Sequence, residues 1–522
     1  MHNWILVLFN SYGFIFLYLP VVLAGFFWLA PRSQRLAALW LAAASLFFYG
    51  WWNPAFVGLL LASIVFNYGT GYLIGHLRGT GRSLPWLVGG IVCNLVLLGY
   101  FKYANFFIDQ ANAAGAGWTT LDLILPLGIS FFTFTQIAFL VDVHRGIAKE
   151  YNFVHYLLFV TWFPHLIAGP VLHHKEMMPQ FALPETYRPS AESIAVGLTL
   201  FTFGLFKKGV LADGVAEYAT PVFAAAEDGV ALTFFEAWAG VLAYTLQIYF
   251  DFSGYSDMAI GLSRMFNVKL PLNFNSPYQA VNIIEFWRRW HMTLSRFLRD
   301  YLYIPLDGNR KGEARRLANL LLTMLLGGLW HGAGWAFVLW GGLHGAYLVL
   351  NHLWRRLWRR ERASRLGAMF GWLLTMLAVI VAWVPFRAEN LHGTMQIWGA
   401  MAGMNGFVLP ESYLGYLNKL AGLGNLLAAQ GWVFNHVEHF KGIKEISALA
   451  CLILIAATFP NTQQILHRYR PAFETYRGEV ERTRYQWMEW QPTGTWASLV
   501  AVLLVLAILV LTRVSEFLYF QF

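Results

Sequence analysis

Long apolar runs recur along this chain, at about residues 12–30, 36–50, 55–75, 84–100, 121–141, 154–170, 192–211, 233–262, 317–350, 367–386, 444–460 and 496–513. Most approach the ~20 residues with which a helix crosses the hydrocarbon core of a bilayer. The 317–350 run is long enough for two short or broken segments. Lipid offers no hydrogen-bond partners to an open backbone, so spans of this kind fold as helices. The predicted fold class is therefore all-α: a polytopic transmembrane helical bundle of about 11–13 spans, with re-entrant or interfacial helices.

Composition agrees, since the chain is 57% hydrophobic and 12% charged, against about a quarter charged in a soluble domain. Tryptophan, tyrosine and phenylalanine make up 17% of it, and such rings collect at membrane interfaces. The formal net charge of +9 comes from Lys and Arg scattered in short clusters between apolar runs, which reads as loop charge and not as a nucleic-acid surface. Cys93 and Cys451 both lie inside apolar runs, which excludes a disulfide scaffold or a cysteine metal site. The first run, Tyr12 to Ala30, has no basic leader or small-residue cleavage site and is expected to stay as a span.

Basic residues fall in every second early connection: Arg32 and Arg35, then Arg78 and Arg82, then Arg145 and Lys149. The intervening stretches, Trp51 to Pro54 and Phe101 to Asp122, carry almost none. The expected orientation has the N-terminus outside and the basic loops in the cytoplasm. The cluster Arg355, Arg356, Arg359, Arg360, Arg362 and Arg365 then belongs to the cytoplasmic side, as a topology anchor touching anionic lipid. No internal repeat or linker marks a second domain. A single membrane domain over 1–522 is expected, with a core of about 120–390 and a C-terminal extension over 391–522 carrying the final spans.

Ionisable residues in apolar segments are expensive, so each is a functional candidate. One set is Phe163-Pro-His165-Leu-Ile-Ala-Gly-Pro170 with His173 and His174. Another is Gln247 to Asp257, which puts Asp251 and Asp257 six residues apart; pairing with Arg or Tyr in the bundle is the structural alternative to a chemical role. The third runs from Glu285 to Tyr303 and on to Gly327-Gly-Leu-Trp330-His331-Gly-Ala-Gly-Trp335 and His344. His331 lies in a glycine-rich apolar stretch where helix packing has no evident need of an imidazole. Gly327, Gly328, Gly332 and Gly334 permit close backbone approach or a helix break. A neutral imidazole there could accept a proton from an incoming hydroxyl; a histidine hydrogen-bonded between helices is the alternative. His344 would not share the face of His331 on a continuous helix, and no His-Glu-x-x-His spacing occurs, so no metal site is expected. Trp287, Arg288, Arg289, Arg296 and Arg299, with Asp300, suit an interfacial or re-entrant segment whose arginines hold the phosphates of a nucleotide-bearing donor; aromatic anchoring with snorkelling arginines is the alternative.

At these residues the chain resembles the membrane-bound O-acyltransferase family, in its bacterial branch of the alginate O-acetyltransferase type. The resemblance spans nearly the whole chain. It rests on Phe163 to Pro170, Gln247 to Asp257, Phe274-Asn-Ser-Pro-Tyr278, Glu285 to Tyr303, Leu329-Trp-His-Gly-Ala333 and the closing Phe517-Leu-Tyr-Phe-Gln-Phe522. It implies helices around a funnel and tunnel, with the family's histidines falling on His331 and His291. It further implies an acyl donor in the cytoplasm, acetyl-CoA foremost and with no bound cofactor, and an exported glycan acceptor outside. A periplasmic hydrolase-like acetyltransferase partner with its own nucleophile is expected too, consistent with the absence of a Gly-x-Ser-x-Gly elbow from this chain. The strip Phe517 to Phe522, expected to lie exposed beyond the last span, is either a docking element for that partner or an interface anchor.

The expected activity is thus O-acetylation of an exported, alginate-like polysaccharide, with cellulose or peptidoglycan as alternative acceptors. A proton-coupled exporter is the rival from another class. It predicts repeated halves, which the sequence lacks, and does not predict the clustering of Trp, Arg and His at 285–335.

Overall fold

The computed structural model describes residues 9–148, 152–167, 169–358, 364–420, 422–476, 478–512 and 518. These are helical almost throughout. Among them the only strands are Val408–Pro410 and Val433–Asn435, a short parallel pair with Val408 opposite Val433. The longer helices are α1 (Phe14–Leu29), α2 (Gln34–Trp52), α3 (Ala55–His76), α4 (Ser83–Ala113), α5 (Ile129–Arg145), α6 (Ala191–Glu227), α7 (Phe234–Met265), α8 (Glu313–His331), α9 (Trp335–Leu357), α10 (Arg365–Arg387), α11 (Ile443–Thr458) and α12 (Gly494–Leu509).

The expected helical membrane bundle is what these elements form. By length and composition α3, α4, α6 and α10 can each cross a membrane, and α1 and α12 are shorter apolar helices. The 32-residue α7 carries Asp251 and Asp257 and is buried over nearly its whole length, so it packs against protein where the spans on either side meet lipid. Three stretches differ from expectation. The span expected at 84–100 continues to Ala113 through a π-helical turn at Gly99–Tyr103, so that Lys102 sits on a helix and not in a loop. The span expected at 121–141 begins only at Ile129, after Gly128 takes φ 67° and turns an irregular segment into α5. The apolar run 154–170 yields a nine-residue helix, Phe153–Thr161, and a single turn, Phe163–Leu166. There Trp162 leaves helical geometry at ψ 108°, and Pro164, which has no N–H to give an interior turn, starts the next one.

The packing of α6 on α7 fixes the centre of the bundle. A Cβ on Gly204 would lie 2.5 Å from the Gly254 carbonyl, and one on Gly261 2.5 Å from the Gly197 carbonyl. Two glycine pairs seven residues apart therefore bring these backbones into contact, the means by which membrane helices pack without a hydrophobic driving force. This brings the π-helical turn Lys207–Ala212 of α6 against the acidic face of α7. Lys207 pairs with Asp257 at 2.5 Å, and Lys208 with Asp251 at 2.6 Å and Asp213 at 2.7 Å.

Consecutive helices place Arg32, Arg78, Arg82, Arg145, Arg310, Lys311, Arg355 and Arg356 at one end of the bundle, the basic face. Lys149, Arg359, Arg360 and Arg362 lie outside the described residues, as does Phe517 to Phe522 apart from Leu518. Leu518 corrects the expectation for that strip at its own position. It is buried, and its backbone N–H donates to the Asp251 carboxylate.

Candidate active site at the break between α8 and α9

α8 and α9 form an antiparallel pair that touches backbone to backbone: a side chain on Gly328 would collide with the Phe337 carbonyl, and one on Gly341 with that of Met324. The connection is only Gly332 to Gly334, with both glycines extended at φ −155° and −163°. The glycines flagged in the sequence thus serve both purposes, close approach and break. They leave His331 as the last residue of α8, buried, where the backbone stops being helical. Its ring lies 4.9 Å from that of Trp330, 5.0 Å from Trp340, 5.2 Å from Phe386 and 6.3 Å from His291, centroid to centroid.

His291 reaches this place through a strained backbone. It joins the helices Ile283–Arg289 and Met292–Leu298 in the left-handed region, φ 43° and ψ 52°, which a residue with a side chain adopts only where its surroundings hold it. Asn273 does the holding. Its carbonyl accepts the Met292 N–H at 2.9 Å. Its side-chain oxygen accepts from Thr293 Oγ1 at 2.9 Å and sits 3.1 Å from His291 Nδ1. An amide oxygen only accepts, so this pairing assigns the proton to Nδ1 and the lone pair to Nε2.

The remaining expected residues separate into three groups. Trp330 and Trp287 belong to the histidine cluster: Trp330 stacks on Phe134 at 5.0 Å, and the Trp287 indole N–H donates to His344 Nδ1 at 3.3 Å. His344 stands on α9, on a different helix from His331, and is linked to it through Trp340, 4.9 Å from its own ring. Asp251 and Asp257 are in the ion pairs with α6, with lysines as partners where arginine or tyrosine was expected. The basic residues gather toward the basic face. There Arg288 is exposed, Arg289 pairs with Glu285 at 2.7 Å, and Arg299 pairs with Asp300 at 2.7 Å while donating to the Tyr476 hydroxyl at 2.7 Å. Beneath them lies a buried polar layer. Arg296 pairs with Glu176 at 2.7 Å, and the Tyr301 hydroxyl donates to Asp142 at 2.8 Å and meets His173 Nδ1 at 3.1 Å, with His174 3.3 Å from the same carboxylate.

A cavity of about 250 Å³ opens beside His331. Its walls include Trp330, His331, Lys102, Trp52 and the segment 124–131 at the start of α5. Trp52 ends a helix that starts by Arg32 and Arg35, and 124–131 begins a helix that ends at Arg145, so the cavity lies on the face opposite the basic loops. His331 and the indoles of Trp330 and Trp52 stand in its wall, with the His291 ring 6.3 Å from that of His331, so the cavity brings an imidazole within reach of a proton donor. Asn273 and Lys102 went unnoticed in the sequence. Asn273 carries no local signal, whereas Lys102, a lysine directly after the apolar run Leu95 to Phe101, does.

Comparison with known proteins bears on what such a site does. The family model described as MBOAT, membrane-bound O-acyltransferase family, matches residues 143–386. The chain is 44% identical over 431 residues to the peptidoglycan O-acetyltransferase of Helicobacter pylori, covering 77% of this chain and 81% of that one. It is 38% identical over 527 residues to a probable alginate O-acetylase of Pseudomonas putida, covering 99% and 100%. To the teichoic acid D-alanyltransferase of Streptococcus thermophilus it is 29% identical over 245 residues, covering 45% and 59%.

Proposed function

The chain belongs to the membrane-bound O-acyltransferase family, and on that premise we propose that it O-acetylates an exported, alginate-like polysaccharide from the bacterial inner membrane. The acetyl group comes from a cytoplasmic donor, acetyl-CoA being the expected one, whose phosphates would meet the arginine-bearing end of the bundle at Arg288 and Arg299. It leaves on the opposite face, directly to the glycan or through a periplasmic acetyltransferase partner that brings its own nucleophile.

The observation that carries this reading is the placement of His331 in the wall of a cavity on the face away from the basic loops, with the His291 ring 6.3 Å from its own. In this reading the His291 ring, fixed by Asn273, stands beside His331 as its partner in the site. His331 acts as base toward the incoming hydroxyl or orients the acyl carbonyl. The alignment over essentially the full length with an alginate O-acetylase supports an alginate-like acceptor. The 44% identity to a peptidoglycan O-acetyltransferase favours peptidoglycan as the second reading.

The test is the acetyl ester content of secreted polysaccharide and of peptidoglycan in cells carrying wild-type or His331→Ala protein at matched membrane levels. Loss of ester from one polymer at normal polymer yield supports acyl transfer and identifies the acceptor. Unchanged ester on both refutes the role given to His331, and loss of the polymer itself favours export.

A further inference from the structure

α8 ends inside the bundle at the buried His331, to which the reading above gives the chemistry, and an α-helix leaves its last four carbonyls without partners inside the helix. Away from water each such carbonyl is costly unless protein satisfies it. Here all four are satisfied. Gly328 accepts from the Gly332 N–H at 3.4 Å, Leu329 from the Tyr103 hydroxyl at 2.9 Å, and both Trp330 and His331 from Lys102 Nζ, at 2.6 and 3.0 Å. Lys102 Nζ also reaches Ser130 Oγ at 3.4 Å, giving three acceptors for the three N–H bonds of an ammonium. Tyr103 and Lys102 are adjacent in sequence, and it is the π-helical turn Gly99–Tyr103 that presents both to one helix end. Farther along the same helix, Gln110 accepts from the indole N–H of Trp335 at 2.9 Å, so α4 grips both sides of the break.

We propose that Lys102 is a positioning residue for acyl transfer, tying the final carbonyls of α8 to α4 so that the His331 imidazole is held in the cavity wall. This rests on the acyl-transfer reading above. Lys102 is itself part of the cavity wall, and its ammonium meets the negative end of the α8 dipole. Both the charge and the donors therefore matter, and a small amine diffusing into the cavity can replace them.

The experiment uses the full-length protein in detergent or liposomes with an acetyl thioester and a soluble hydroxyl acceptor. Lys102→Met is expected to lose about 10- to 100-fold in kcat, with KM for the thioester within about twofold. Lys102→Ala is expected to regain activity with added propylamine and none with 1-propanol, which matches it in size but cannot carry the charge. A merely structural lysine would give neither the kcat-only loss nor the amine-specific rescue. A Lys102→Met kcat within about twofold of wild type overturns the proposal. So does a rise in KM at unchanged kcat, which would make Lys102 a substrate contact. If Lys102→Met does not reach the membrane, the Lys102→Ala titration decides, and absence of rescue at saturating amine overturns it. No acetyl transfer by wild type, or equal transfer by His331→Ala, refutes the functional reading instead, so the two failures are distinguishable.

Discussion

A single side chain's place in this site depends on what holds its backbone. His291 occupies left-handed geometry that costs on the order of 1–3 kcal/mol, and Asn273 offsets that cost through three separate contacts, to the Met292 N–H, to Thr293 and to the imidazole. Asn273→Leu is therefore expected to lower acetyl transfer by roughly 10- to 100-fold at similar membrane abundance, measured as ester formed per unit of protein. His291→Ala is expected to weaken acetylation at least as strongly in the same assay, because it removes the ring that Asn273 orients. His331 stood out in the sequence, since an imidazole in a glycine-rich apolar run is costly without a purpose, whereas His291 was singled out through the family resemblance. Asn273 was not. Its importance lies in contacts with residues 18 to 20 positions later, and local patterning carries no trace of such a partner.

Elements were legible where periodic apolarity met a clear breaker. The run 317–350 was expected as two segments, and Gly332 and Gly334 divide it. The run 154–170 misled because apolarity alone does not distinguish a span from a buried, proline-interrupted segment, and Pro164 with Trp162 divides this one. The extension of α4 past residue 100 was missed because Lys102, Asn105 and Asp109 read as polar loop, whereas Lys102 is matched to carbonyls on another helix. Contact between elements yields two predictions. Gly254→Leu would push α6 from α7 at their tightest crossing, so a loss of about 1–3 kcal/mol or more is expected, seen as a lower melting temperature in detergent. Arg296→Ala would leave Glu176 buried without its guanidinium, and a destabilisation of roughly 3–5 kcal/mol is expected by the same measurement.

For the whole molecule, charge placement gave an orientation from sequence, and the helices carry those charges to one face. Cysteine labelling checks it. In a background with Cys93 and Cys451 replaced by serine, Trp118→Cys is expected to react with a membrane-impermeant maleimide in intact cells, and Thr80→Cys only after lysis. What the loops could not convey was the interior, because a void depends on how distant segments such as 124–131 and the end of α8 fail to fill space together. That void has a size, and the size sets a limit. At about 250 Å³ it holds on the order of ten water molecules. A two-carbon acyl group fits within that volume, whereas a long fatty chain or a folded stretch of polymer does not. The molecule should accordingly behave as a ruler for its cargo, with acetyl and propionyl thioesters turned over and palmitoyl ones rejected, and a competition assay among the three would read off its graduation.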